Sequence, residues 1–81
     1  MSDDQPFSDE QLARMRHQPV AKRVRRTLGL SQEEFANRFG IPLRTLQEWE
    51  QGRREPDATT LAYLKVIERE PDVVTRVLAA E

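Results

Sequence analysis

Two short helical signals that meet at Gly40 constrain the fold of this chain more than any other feature. The first, LSQEEFANRF, opens with Ser31 as a capping residue and Glu34 three positions later, which is the capping-box pattern of a helix start. It predicts a helix over residues 32–39 that Gly40 ends in the left-handed conformation, after which Ile41 packs inward as the hinge residue. Two helices joined by so tight a turn form a helix-turn-helix.

The second signal, IPLRTLQEWEQG, predicts a helix that is too polar to be buried. Pro42 suits its first turn, the helix spans residues 43–50, and Gly52 closes it. Leu46 and Trp49 share one face and are the expected core residues. The remaining face is therefore available to solvent or to a binding partner.

Similar signals on both sides of this motif predict a single all-α domain of five to six short helices. Ser8 caps a first helix, Pro19 suits the first turn of a second, and Asp57 caps a helix after the motif. The predicted helices span residues 9–16, 19–28, 32–39, 43–50, 58–69 and 71–80. Outside the motif, the expected core residues are Val20 or Ala21, Val24, Leu28, Leu61, Leu64 and Ile67. We expect residues 1–6 to be disordered and residues 7–81 to form one domain with its motif at 32–50.

Composition limits what such a domain can do. With 81 residues, 37% of them apolar, the chain can bury one small core but no deep substrate cleft. It has no cysteine, three glycines and one histidine, His17, so we expect no metal, no cofactor and no enzymatic activity. No apolar run approaches the roughly 20 residues of a membrane span, and we expect a cytoplasmic protein with no membrane partner.

The charges are segregated along the chain, although the net charge is only −1. Residues 1–13 carry four acidic residues and no basic one, residues 14–54 carry ten basic against four acidic residues, and residues 55–81 carry three against six. The basic block coincides with the helix-turn-helix, and a surface of that sign attracts nucleic acid. Charge runs can also be merely solvated faces, which explains Arg14 and Arg16 equally well.

Four consecutive pieces of this region resemble the Xre/Cro helix-turn-helix family of bacterial and phage repressors: LGLSQEEFA, RFGI, TLQEWEQG and RREP. The resemblance covers residues 20–68 and implies a lambda-repressor-like domain. It implies a transcriptional regulator that binds double-stranded DNA as a homodimer, at an inverted-repeat operator that is often in its own promoter. The closing stretch, RREPDATTLAYLKVIEREPDVV, is similar to HigA-type antitoxins and their stand-alone relatives, which implies a toxin protein as a further partner.

The resemblance also implies roles for individual residues. Gln32 matches the glutamine that opens the first helix of the motif and approaches a phosphate. The recognition-helix positions that face DNA in the family match Arg44, Thr45, Gln47 and Glu48. The basic positions after that helix, which bind the DNA backbone, match Arg53 and Arg54. Arg25 and Glu50 match a partly buried salt bridge with a structural role. Pro42 and Leu43 depart from the family, in which Ser or Thr followed by a polar residue is common at these two positions. The candidate role that remains for Leu43 is an apolar contact with a thymine methyl.

Elementary chemistry supports the same division of labour. An α-helix fits the major groove, where all four base pairs present different patterns of donors and acceptors. Arg44 suits the two acceptors of guanine and Gln47 suits adenine, each worth roughly 1–3 kcal/mol of discrimination when bidentate. Glu48 either accepts from cytosine or repels phosphates in other registers, and Thr45 either contacts a phosphate or is simply solvated. Three further cations are candidates for sequence-independent affinity through counterion release: Lys22, Arg23 and Arg26. We expect at least one of them to contribute nothing.

A protein-interaction module is the alternative function, in which the chain binds and neutralises a partner protein with little specific DNA binding. The acidic first segment, with Phe7, Leu12 and Met15, either folds over a basic partner or packs on its own domain. The C-terminal helix carries more apolar residues than one small core requires, and we interpret the surplus as a dimer interface: Val73, Val74, Val77 and Leu78. Trp49 and Tyr63 are interpreted as packing residues, Tyr63 with a hydroxyl that is free to bond at the rim.

Overall fold

The computed structural model describes residues 18–80, and this part of the chain contains five helices and no strand. The helices are α1 (Val20–Thr27), α2 (Gln32–Phe39), α3 (Leu43–Glu50), α4 (Ala58–Arg69) and α5 (Pro71–Ala79). The predicted all-α class is confirmed. The helix predicted over residues 9–16, the disorder predicted for residues 1–6, and His17 all lie outside the described residues.

Local capping explains why α2 begins and ends where the sequence predicts. The Ser31 hydroxyl accepts from the Glu34 backbone N–H at 3.0 Å, and the Glu34 carboxylate accepts from the Ser31 N–H at 2.8 Å. The hydrogen bond from the Ser31 N–H to the carboxylate holds the pKa of Glu34 below its ordinary value. Gly40 then adopts φ +69°, where a residue with a Cβ would be strained, and the Ile41 N–H closes the turn on the Ala36 carbonyl.

The boundaries of α3 and α4 are also set locally. Pro42 lies one position before α3, as its N-cap, and supplies no side-chain hydrogen bond, whereas the sequence predicts it in the first turn. Asp57 caps α4 by accepting from the Thr60 N–H at 2.8 Å, which lowers the pKa of its carboxyl group. Both predicted spans, residues 43–50 and 58–69, are confirmed.

One hydrophobic core joins all five helices. Helix α3 packs against α2 and α1, α4 against α1 and α5, and α5 returns to contact α2. The Phe35 and Phe39 rings lie 4.9 Å apart, and Trp49 is only 8% exposed, so its predicted packing role is confirmed. The buried residues are Ala21, Val24, Phe35, Ala36, Phe39, Ile41, Leu46, Trp49, Leu64, Ile67 and Val74. Tyr63 donates its hydroxyl to the Phe39 carbonyl at 2.7 Å, and partial burial raises its pKa.

The prediction that Leu61 belongs to the core is wrong, because its side chain is 41% exposed. Residues three apart on an α-helix are about 60° short of a full turn. Leu64 and Ile67 are both fully buried, so Leu61, one further step back, is rotated out of the buried stripe. In α5 only Val74 is buried, and the rest of the apolar set is exposed: Val73 (38%), Val77 (57%) and Leu78 (39%). Among the described residues, no helix is long and apolar enough to cross a membrane.

Candidate functional site

Helix α3 presents a polar face opposite its buried residues. Leu46 and Trp49 point into the core, while the side chain of Arg44 is 89% exposed. The other predicted contact residues of this helix, Thr45, Gln47 and Glu48, are half-buried around the same face. Leu43 is half-buried as well and packs against the core, so only part of its side chain is available to a binding partner.

A bidentate ion pair fixes the end of α3 to α1. The Arg25 guanidinium donates from Nε to Glu50 Oε2 at 2.7 Å and from Nη2 to Glu50 Oε1 at 2.9 Å. Its remaining arm donates to the Leu30 carbonyl at 2.9 Å. The two side chains are only 15% and 4% exposed, and the structure has the geometry that the resemblance implies for this pair.

The pKa values of the pair shift in the directions that this geometry requires. Hydrogen bonds to Glu50 raise the pKa of Arg25. For Glu50, burial alone would raise the pKa, but hydrogen bonds from Arg25 and Gln32 together with the nearby positive charges outweigh it, and the pKa is lowered. Both groups are therefore charged at neutral pH.

A chain of side-chain hydrogen bonds extends from this ion pair to the surface of α3. Gln32 Nε2 donates to Glu50 Oε1 at 3.0 Å, and Gln47 Nε2 makes a longer bond of 3.5 Å to Gln32 Oε1. Because an ionised carboxylate only accepts, Gln32 must turn its NH₂ group toward Glu50 and its carbonyl toward Gln47. Gln47 must then present its own NH₂ group to Gln32, which leaves its carbonyl oxygen and one N–H for an outside partner.

Glu48 lies between two arginines to which the resemblance assigns different roles. Its Oε2 is 3.7 Å from Arg44 Nε, one helical turn away, and its Oε1 is 3.4 Å from Arg54 Nη1 in the segment after α3. Both distances are long and both arginine side chains are well exposed, so these pairs are easily exchanged for other partners. Glu48 thus holds two cations beside the polar face.

The segment after α3 places Arg53 and Arg54 at the end of this face. Gly52 turns the chain with φ +75°, and the Arg53 N–H bonds back to the Glu48 carbonyl at 3.0 Å. Both arginines are exposed. Of the three cations expected on α1, Arg23 forms an ion pair with Glu68 of α4, whereas Lys22 and Arg26 do not pair with an acid among residues 18–80.

Three features of this region are not predicted by the sequence. They are the amide chain through Gln32, the bridging position of Glu48, and a groove of about 300 Å³ between the start of α1, the segment after α3, and α4. Each depends on how helices are placed in space, and no local sequence signal reports that. Within residues 18–80, no group of histidine, cysteine or carboxylate side chains could hold a metal ion.

Comparison with known proteins identifies relatives of this chain. Residues 22–62 match the family model described as helix-turn-helix. Antitoxin HigA-2 of Vibrio cholerae serotype O1 (strain ATCC 39315 / El Tor Inaba N16961) is 32% identical over 54 residues, which are 67% of this chain and 52% of that protein. The chain therefore spans about half the length of that curated relative. The crystal structure of an HTH XRE-family like protein from Agrobacterium tumefaciens is 52% identical, covers 74% of this chain and 97% of its own, and superposes with a TM-score of 0.72.

Proposed function

Because the chain belongs to the Xre-type helix-turn-helix family of DNA-binding regulators, we propose that it represses transcription by reading an inverted-repeat operator as a dimer. The observation that carries the proposal is the polar face of α3, where Gln47 is held by Gln32 with two of its hydrogen-bonding groups free. A helix with such a face fits the major groove. As a repressor of this kind it acts where the bacterial chromosome is, in the cytoplasm, and carries out no catalysis.

We assign base readout to the middle of α3. Arg44, the most exposed side chain of this face, suits the two acceptors of guanine, and the free carbonyl and N–H of Gln47 suit adenine. We assign to Glu48 a hydrogen bond from the amino group of cytosine. We assign to Leu43, which has only part of its surface exposed, an apolar contact with a thymine methyl.

Phosphate contacts flank this reading surface on both sides. Gln32 begins α2, where the backbone N–H groups of the first turn attract an anion, and we assign it a phosphate contact together with Thr45. Arg53 and Arg54 grip the backbone beyond the other end of α3. Such contacts position the protein without reading sequence.

The exposed apolar residues of α5 are proposed as the dimer interface. Val73 and Val77 are four residues apart, so they form one stripe that the fold of residues 18–80 leaves uncovered. A twofold dimer would present its two α3 helices to half-sites one DNA turn apart, about 34 Å. The operator of such a dimer would itself have twofold symmetry, that is, an inverted repeat.

A toxin is proposed as the second partner. The relative named antitoxin HigA-2 covers two thirds of this chain, and the match includes the helix-turn-helix. We propose that the chain is the antitoxin of a type II pair, which represses its own operon and binds a toxin through a surface other than α3.

Fluorescence anisotropy with the chain's own promoter and a scrambled duplex, at about 150 mM salt, tests the proposal. Specific binding should exceed scrambled binding by at least about 10³-fold. The Gln47→Ala variant should lose most of that ratio. The double variant Arg53→Ala, Arg54→Ala should instead weaken both duplexes and lower the salt slope by up to about 0.9 for each phosphate that is no longer neutralised. Equal weak binding of the wild type to both duplexes would favour the protein-interaction module.

A further inference from the structure

A groove runs beside the reading surface, between the start of α1, the segment after α3, and α4. We call it the α1–α4 groove. It encloses about 300 Å³, and its walls are formed by Gln18, Pro19, Val20, Ala21, Trp49, Gly52, Arg54, Glu55, Pro56 and Leu61. Most of these side chains are apolar, while Arg54 and Glu55 supply charge.

The apolar surface of this groove is incompletely covered by residues 18–80. Leu61 is 41% exposed there, although it lies one helical turn from the fully buried Leu64. Trp49, which is 8% exposed, also lines the groove. Burying one leucine side chain completely lowers the free energy by roughly 1.5–3 kcal/mol, so an apolar segment within reach would bind here.

The segment within reach is the part of the same chain that precedes the groove. Gln18 and Pro19, the first described residues, already form its wall. Met15 is three residues before Gln18 and so lies within about 10 Å of it even along an extended chain. A short tether of this kind gives an effective concentration on the order of millimolar, which makes even weak docking substantial.

The apolar residues of that segment suit the apolar walls of the groove. Its cap at Ser8 predicts a short amphipathic helix whose apolar residues are Phe7, Leu12 and Met15, the last two being three positions apart. Between residues 7 and 15 the charged side chains are Asp9, Glu10 and Arg14, which sum to a net charge of −1. Arg54 in the groove wall is held only by a long 3.4 Å pair with Glu48, so it can turn to a new carboxylate.

We propose that residues 7–15 dock in the α1–α4 groove of their own chain, with Leu12 and Met15 covering Leu61 and the part of Trp49 that lines the groove. The acidic side chains of the docked segment then lie near Arg54. A second consequence rests on the proposed function: the docked segment competes with DNA phosphates for Arg54 and lowers affinity for every duplex alike. A partner protein that captures the segment would release that restraint.

Disulfide trapping in the full-length chain tests the docking directly, because the natural sequence has no cysteine. The pair Met15→Cys, Leu61→Cys should oxidise rapidly to an intramolecular disulfide, seen by mass spectrometry, since bonding requires Cα atoms about 4.4–6.8 Å apart. The control pair Met15→Cys, Val66→Cys places the second thiol on the same helix at an exposed position that does not line the groove. Equal rates for the two pairs would overturn the proposal, and so would an exclusively intermolecular disulfide, which would assign the groove to a second copy.

Trp49 is the one tryptophan of the chain and reports the same event without cysteines. The variant Leu12→Ser, Met15→Ser should shift Trp49 emission to the red and increase its quenching by acrylamide. The matched variant Gln11→Ser, Arg14→Ser, changed between the apolar positions, should not. Identical emission and quenching in all three proteins would count against docking.

Anisotropy on the same proteins separates the two proposals. If both hold, Leu12→Ser, Met15→Ser binds promoter and scrambled duplexes more tightly than the wild type by the same factor. If no variant binds DNA while the disulfide still forms, the docking stands and the operator-reading function fails. If DNA binding is specific but the groove disulfide forms no faster than the control, the docking alone is refuted.

Discussion

Replacing Arg25 by methionine while leaving Glu50 in place should destabilise the domain by about 3 kcal/mol. The Glu50 carboxylate is 4% exposed and accepts two hydrogen bonds from Arg25 and one from Gln32. Methionine keeps much of the aliphatic volume but leaves this charge without its counterion. Removing one partner of a buried pair costs about 3–5 kcal/mol, and we take the low end because Arg25 is 15% exposed and the Gln32 bond survives.

Thermal and urea unfolding followed by circular dichroism at neutral pH measure this loss. In a domain of this size about 1 kcal/mol corresponds to 4–8 °C, so Tm should fall by roughly 12–24 °C. The double variant Arg25→Met, Glu50→Leu removes both charges and should recover most of the loss, since apolar replacement of a whole buried pair is often close to neutral. A loss below about 1 kcal/mol in the single variant would mean that the pair behaves as a surface salt bridge, and would refute the reasoning.

The same pair predicts a dependence of stability on pH. The folded pKa of Glu50 is lowered, so its contribution is present above the unfolded pKa and is lost as pH falls through the folded pKa. Glu34 and Asp57 behave in the same way and remain in the double variant. The wild type should therefore lose more stability than the double variant between neutral pH and the acid range. Parallel curves would show that Glu50 does not contribute.

Three further predictions concern single side chains. Glu48→Gln should free its two arginine partners, raise affinity for the scrambled duplex and steepen the salt slope in anisotropy titrations. Glu55→Gln, which removes the same charge without those ion pairs, should change the slope less. Val77→Asp should turn a dimer into a monomer in light scattering and weaken operator binding while preserving the fold, because this side chain is 57% exposed. Tyr63→Phe should cost about 1 kcal/mol in urea unfolding because it removes the hydrogen bond to Phe39, and an unchanged midpoint would contradict that.

Helix boundaries can be predicted from the sequence wherever the determining contact is local. The Ser31 and Glu34 side chains act on backbone groups three residues away, and Asp57 does the same on Thr60. The predicted spans 32–39 and 58–69 therefore agree with the structure at both ends. Contacts of this kind join residues that are close in sequence, so the sequence alone is enough to predict them.

Core membership is harder to predict because it depends on how each helix is rotated against its neighbours. The spacing of Leu61, Leu64 and Ile67 is compatible with one stripe, but the stripe drifts around the helix and α4 buries only two of the three. In the same way, Val74 alone is buried in α5. Periodicity identifies an apolar side of a helix, whereas the neighbouring helices decide which part of that side is covered.

The side chains of the proposed DNA-contact surface on α3 can be predicted from the sequence, but the contacts among them cannot. The sequence predicts that Glu48 meets DNA, and in the free protein it holds Arg44 and Arg54. Gln32 is predicted to approach a phosphate, and in the free protein its side chain bonds to Glu50. Contacts between residues 15 to 25 positions apart require the packing of three helices, which no local pattern records.

The polarity of α3 explains why a buried ion pair lies at its end. Leu46 and Trp49 are the buried residues of this helix and Leu43 packs partly against the core, so apolar contacts hold one side of the helix and leave it some freedom to rotate about its own axis. The two parallel hydrogen bonds from Arg25 to Glu50 remove that freedom, because a bidentate pair tolerates little rotation. Glu50 also orients Gln32, which orients Gln47. The same ion pair thus fixes the rotation of α3 and aligns its proposed base-reading amide. Replacing Arg25 alone should therefore lower stability and operator discrimination together, even though Arg25 is not assigned a DNA contact.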